Sequence, residues 1–262
     1  MPLGFLILHL RYMTKSEKPN APGRILLVMM PVVIAVSAAF WYFRQYGDFT
    51  IDAPDGVPYM ESRRGMKPRL DTARQNILLI GDSMAYTLMF RAQNYCTANG
   101  HDLNVVSWVS ATSRTFALCD TLEYFVNLYK PTYIIFVIGA NEMFKADAPS
   151  RGMYFDNIRQ QCCGVPLVVV GPPNWRQDTG INDVMMEKFG PRQFFLSKRL
   201  RYTRIAGDVV HPDRASGSMW MDSISTWIMR DSFFPIRLDR PSGDNPIHVD
   251  FVKLVLRDPS LA

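Results

Sequence analysis

"ILLIGDSMAY", residues 77–86, is an apolar run that stops at Gly81-Asp82-Ser83. Consecutive large aliphatics suit a strand buried on both faces, the kind found in parallel sheets covered by helices. Its end has two readings. Gly-Asp-Ser is ordinary turn and helix-cap chemistry, in which Asp82 or Ser83 would satisfy free helix amides. Alternatively, Ser83 offers a nucleophilic hydroxyl, which gains meaning only if the chain also supplies a base, an orienting acid and oxyanion donors.

Outward from this stretch, apolar runs alternate with helical patterns. "NILLIG" (76–81) is a strand, 84–98 a helix and "LNVVSW" (103–108) a second strand. A helix over 117–129 precedes the strand "TYIIFVIG" (132–139), and a helical stretch over 151–161 precedes "PLVVVG" (166–171). Near-continuous apolar strands separated by helices predict a doubly wound α/β sandwich over residues 76–230. In such sheets ligands and chemistry sit just beyond the carboxyl ends of the strands. Residues 231–262 follow as a C-terminal extension whose role the pattern leaves open.

Upstream lies a different kind of sequence. "ILLVMMPVVIAVSAAFWYF" (25–43) holds no charged side chain. As a helix it spans roughly 28 Å, about one hydrocarbon core. Trp41, Tyr42 and Phe43 form an aromatic belt at its far end, so it reads as a transmembrane anchor. A cleaved secretory signal ending near Ser37-Ala38-Ala39 and a buried core helix are the alternatives. Basic residues in 1–24 predict a cytoplasmic N-terminus, and 44–75 serves as a stalk, so the globular part faces the periplasm or the cell exterior.

Of the formal charge of +5, residues 1–24 carry +3, from Arg11, Lys15, Lys18 and Arg24 against Glu17. The remainder has no Lys/Arg block, which argues against a nucleic-acid partner. The four cysteines, Cys96, Cys119, Cys162 and Cys163, show no metal-ligand spacing. One or two long-range disulfides are allowed, without an assignment.

Two further strand ends carry suitable chemistry. "GANE" places the Asn141 side-chain amide on the same rim as Ser83, and the loop in "SWVSATS" offers backbone N–H groups there. A hydroxyl nucleophile with several donors at one sheet edge is what acyl transfer needs. The base follows by elimination among four histidines. His9 precedes the anchor, and His101, in "NGHD", reads as a surface turn at the opposite edge of the sheet. His211, in "GDVVHPD", has Asp208 three residues earlier, a spacing from which a carboxylate reaches the imidazole N–H and fixes its tautomer. His248, with Asp244 four residues before it, is the less favoured candidate.

"GDS", "GANE" and "DVVHP", in this order and spacing over about residues 75–230, resemble the GDSL/SGNH hydrolases. The resemblance implies a three-layer α/β/α sandwich with a flavodoxin-like sheet and an activity among esterases, lipases, thioesterases and carbohydrate deacetylases. It implies Ser83 as nucleophile and first oxyanion donor, Asn141 as side-chain donor, His211 as base and Asp208 as its orienting acid. Two departures stand out. Ala111 occupies the place of the family's usual backbone-donor glycine, and alanine resists positive φ; Glu142 replaces the Asp after the Asn.

The expected function is hydrolysis of O-acyl esters, acetyl foremost, on cell-envelope or exported carbohydrate, with Ser83, Ala111 and Asn141 holding the oxyanion and no cofactor or metal. Trp175 in "GPPNW" is a candidate for sugar stacking, or else packs against a neighbouring helix. An acyltransferase using the same triad and an inactive binding protein are the rivals; the sequence does not address oligomeric state.

Overall fold

A computed structural model describes residues 68–243, 248–258 and 260, all within a compact unit, Gly65–Ala262. The expected anchor at 25–43, its flank 1–24 and most of the stalk lie outside the described residues. Among the described residues, no helix is long and apolar enough to cross a membrane.

Six strands form one parallel sheet: β1 (Asn76–Gly81), β2 (Asp102–Val109), β3 (Tyr133–Val137), β4 (Leu167–Val170), β5 (Phe194–Phe195) and β6 (Phe251–Val255). Their spatial order is β5-β4-β3-β1-β2-β6. The first five follow the flavodoxin-like order, with β1 between β2 and β3. Helices α1 (Met84–Asn99) and α6 (Arg214–Arg230) pack on one face, where Leu79, Leu88, Val105, Trp220 and Ile224 are buried. On the other face, Leu78, Ile80, Phe116, Phe136 and Phe155 lie beneath α2 (Ser113–Leu118), α3 (Thr121–Tyr129), α4 (Gly152–Gln161) and α5 (Ile181–Phe189). The expected three-layer sandwich is therefore what the chain forms. Alternate residues of β1 feed opposite cores, which is why the run lacks polar positions.

The single helix expected over 117–129 is two helices. Thr112 and Thr115 form a reciprocal capping box that starts α2 early, and extended Cys119 separates it from α3. All four cysteines are free.

Residues 237–243 run back along α1 from Asn99 to Arg91, and β6 pairs with β2, placing Phe251 opposite Val105 and Lys253 opposite Ser107. A polar cluster around buried Arg91 ties the returning segment down. Arg91 donates to Asp222 at 2.7 Å and to the Gly243 carbonyl at 2.6 Å, and Arg240 also donates to Asp222 at 2.7 Å. His101 belongs to the same fastening: Nδ1 accepts the Gln75 N–H at 3.1 Å, and Nε2 lies 2.6 Å from the Arg237 carbonyl. This corrects the expectation of a surface turn, because His101 is buried by the C-terminal segment. The Arg237 carbonyl can only accept, so Nε2 carries the ring proton.

Gly81 permits the close approach of β1 and β3 at the carboxyl edge of the sheet. A Cβ there would lie 1.9 Å from the Val137 carbonyl oxygen, on backbone that cannot swing away. Gly81→Ala should lower stability by roughly 3 kcal/mol or more, read as a fall in the urea midpoint at constant m-value.

Candidate active site

At the end of β1 the two readings of Gly-Asp-Ser are divided between neighbouring residues. Asp82 does the capping: Oδ1 accepts the Met84 N–H at 2.8 Å, and Oδ2 accepts the Ala140 N–H at 3.1 Å. Ser83 occupies the cap position of α1, yet its side chain makes no cap hydrogen bond. Its hydroxyl lies instead 2.9 Å from His211 Nε2.

His211 Nδ1 in turn lies 2.7 Å from Asp208 Oδ2. Partial burial pushes the Asp208 carboxyl up, but the N–H groups of Val210 and His211 and the imidazole outweigh it, leaving its pKa below the ordinary value. An ionised Asp208 can only accept, so Nδ1 carries the imidazole proton and Nε2 is left to accept from the Ser83 hydroxyl. The arrangement is a Ser-His-Asp relay assembled from residues 83, 208 and 211. His248 lies elsewhere, exposed and paired with Asp250 at 3.0 Å.

No family model matches the chain, and no curated protein sequence does. Among solved structures it is similar to a family 3 carbohydrate esterase of Clostridium thermocellum, with 14% identity and a TM-score of 0.46 over 59% of this chain and 94% of that one. It is also similar to a mutant acetyl esterase with acetate ion, with 13% identity and a TM-score of 0.41 over 56% of this chain and 93% of that one. A third is the psychrotrophic esterase EstA from Pseudoalteromonas sp., with 15% identity and a TM-score of 0.42 over 58% and 98%.

The oxyanion side differs from expectation at Ala111. Its N–H donates back to the Trp108 carbonyl at 3.2 Å, and the residue is fully buried. The physical reason is the turn that ends β2: the left-handed conformation falls on Ser110, φ 65°, one residue earlier, which folds the Ala111 amide inward. The next two amides are committed as well, Thr112 to the Thr115 hydroxyl and Ser113 to the Glu142 carboxylate. Ala111 contributes through its carbonyl, which accepts one Asn141 amide hydrogen at 2.8 Å. That bond fixes the orientation of the Asn141 side chain and leaves its second N–H without a protein acceptor among the described residues.

Glu142 is buried under the same rim, where burial raises its pKa against the opposing pull of the Ser113 groups. The Trp175 N–H donates to the Ala140 carbonyl at 3.3 Å, and its ring packs on Phe144 at 4.8 Å. Trp175 lines a separate depression that meets the Ser83 cleft only at Ile205 and Asp208.

Sequence reasoning missed Arg204, which clamps the histidine loop. Its guanidinium donates to the Val210 carbonyl at 2.7 Å and to the Pro173 and Asn174 carbonyls at 2.8 and 3.0 Å. Nothing in "YTRIAGD" marks this arginine, because two of its three acceptors come from a loop some thirty residues upstream.

Burial pushes the Asp82 carboxyl up to about 7, against its backbone donors and with the nearby Glu142 carboxylate adding to the rise. The folded chain thus holds this proton more tightly than the unfolded chain does. Its contribution to stability is fully present below the ordinary value of 3.8 and is lost as pH rises through about 7. Asp82→Asn should flatten the decline in unfolding free energy between pH 5 and pH 8, measured by urea denaturation of both proteins, while lowering stability at pH 5 by about 1–3 kcal/mol through a lost backbone acceptor.

Proposed function

We propose that the protein is a serine ester hydrolase of the SGNH type. The observation that carries this reading is the relay at the sheet edge, with Ser83 Oγ 2.9 Å from His211 Nε2 and His211 Nδ1 2.7 Å from Asp208. Ser83 Oγ attacks the ester carbonyl carbon while Nε2 takes the hydroxyl proton. The Ser83 amide and the Asn141 side chain stabilise the oxyanion. Collapse breaks the bond to the alcohol, which leaves with the proton from Nε2. Water then attacks the acyl-serine, giving its proton to Nε2, and collapse frees the acid and returns the proton to Ser83.

The substrate we propose is an O-acyl, chiefly acetyl, ester of cell-envelope or exported carbohydrate. The charge-free run at 25–43 supports an anchored domain facing outward, where such polymers lie. A second reading, a binding protein with a retired site, draws on the Ala111 amide being turned inward, which leaves two oxyanion donors in place of three.

Hydrolysis of p-nitrophenyl acetate separates the two. Activity should vanish in Ser83→Ala and in His211→Ala, and Asn141→Ala should lose about a hundredfold or more in kcat. Wild-type turnover no greater than that of the two relay mutants would favour the binding protein.

A further inference from the structure

The relay opens into a cleft of about 550 Å³, and most of its lining lies beyond the triad. An acetyl group fills a small corner of such a space, which is of the size that holds an entire drug-sized ligand. One wall is aromatic. Tyr86, on the first turn of α1, is 46% exposed, with its ring 5.7 Å from Phe90 and 5.3 Å from Phe251 of β6. Such an open, flat apolar surface beside the nucleophile suits a hydrocarbon group or the C–H face of a sugar ring.

The charges around this wall are unequal in their commitments. Asp208 is held by the His211 ring, and Asp213 accepts the Ser216 N–H at 2.8 Å as the cap of α6. The Arg214 guanidinium lies 4.5 Å from the centre of the Phe90 ring. Lys253 follows Phe251 by two residues on β6, so both side chains stand on the cleft side of the sheet. Among the described residues, no carboxylate pairs with Lys253.

We propose that the cleft binds an ester bearing an anionic group, with Lys253 as the recognition element and Tyr86, Phe90 and Phe251 as the apolar platform. The C-terminal strand β6 is then the specificity-determining part of the chain. The proposal rests on Ser83 acting as the nucleophile, and it narrows the substrate from acyl esters in general to those of acidic molecules. It has a rival in plain sheet physics. β6 is an edge strand, and lysines on edge strands often serve only to block pairing with another chain, which would give no charge preference.

The test uses the purified full chain and two pairs of esters. 4-Acetoxybenzoate against 4-acetoxybenzamide places the anion on the alcohol side, and 4-nitrophenyl hemisuccinate against 4-nitrophenyl butyrate places it on the acyl side, with buffer rates subtracted. In at least one pair the anionic ester should have the higher kcat/KM by about fivefold, a preference that shrinks with added salt. Lys253→Gln should bring that ratio towards one, and Lys253→Arg should keep it. The ratio is internal to each preparation, so partial misfolding of a variant does not mimic the result. Ser83-dependent hydrolysis with ratios near one in both pairs overturns the proposal and leaves the hydrolase reading standing, as does a ratio that survives in Lys253→Gln. Failure to cleave any of the four esters overturns both.

Discussion

The Asp82 carboxyl group is the constraint on which the carboxyl edge of the sheet depends. One oxygen holds the first turn of α1 and the other holds Ala140, so a single buried side chain fixes the spacing between the Ser83 turn and the Asn141 loop. Because Asp82 satisfies the α1 amide, Ser83 is released from the capping role its position would otherwise give it. A buried carboxylate is costly unless hydrogen-bonded. Here the Met84 and Ala140 N–H groups offset part of that cost, and through them the side chain joins neighbouring strand ends.

A second set of constraints holds the histidine. Asp208 accepts two backbone N–H groups of its own loop as well as the imidazole, which shapes the turn and fixes the tautomer together. Arg204 ties that loop to the one after β4, and the Asp213 N–H donates to the Thr203 carbonyl at 2.9 Å. Asp208 thus orients the imidazole ring itself, while backbone carbonyls hold the loop that carries both residues. The aromatic wall of the cleft involves yet another part of the chain: Phe251 and Lys253 line it from β6, which pairs with β2, and Arg91, Asp222 and His101 fasten the segment that precedes β6.

Much of this was legible beforehand. The apolar runs at 76–81, 103–108, 132–139 and 166–171 are strands within a residue or two at most of their edges, because strands buried on both faces leave no polar positions to confuse the pattern. Ser83, His211 and Asp208 were legible because each sits in a short local motif at a strand end or before a helix. Three things were not. β5 is two residues long, too short for any periodicity to register. The segment "FVKLV" is short and breaks strict apolar–polar alternation, and its partner lies about 145 residues away. The direction of the Ala111 amide depended on which residue of a four-residue turn took the left-handed conformation, and Ser110 carries no special propensity for it.

The sequence by itself determined the layered α/β architecture and the three residues of the relay, because apolar periodicity and short motifs are local signals. Tertiary structure alone decided which backbone amides remain available for an oxyanion, that His101 is a buried fastening, and that the C-terminal segment forms a wall of the cleft. Those outcomes depend on hydrogen-bond partners far apart in the chain, and a donor's availability is known only once its acceptor is in place.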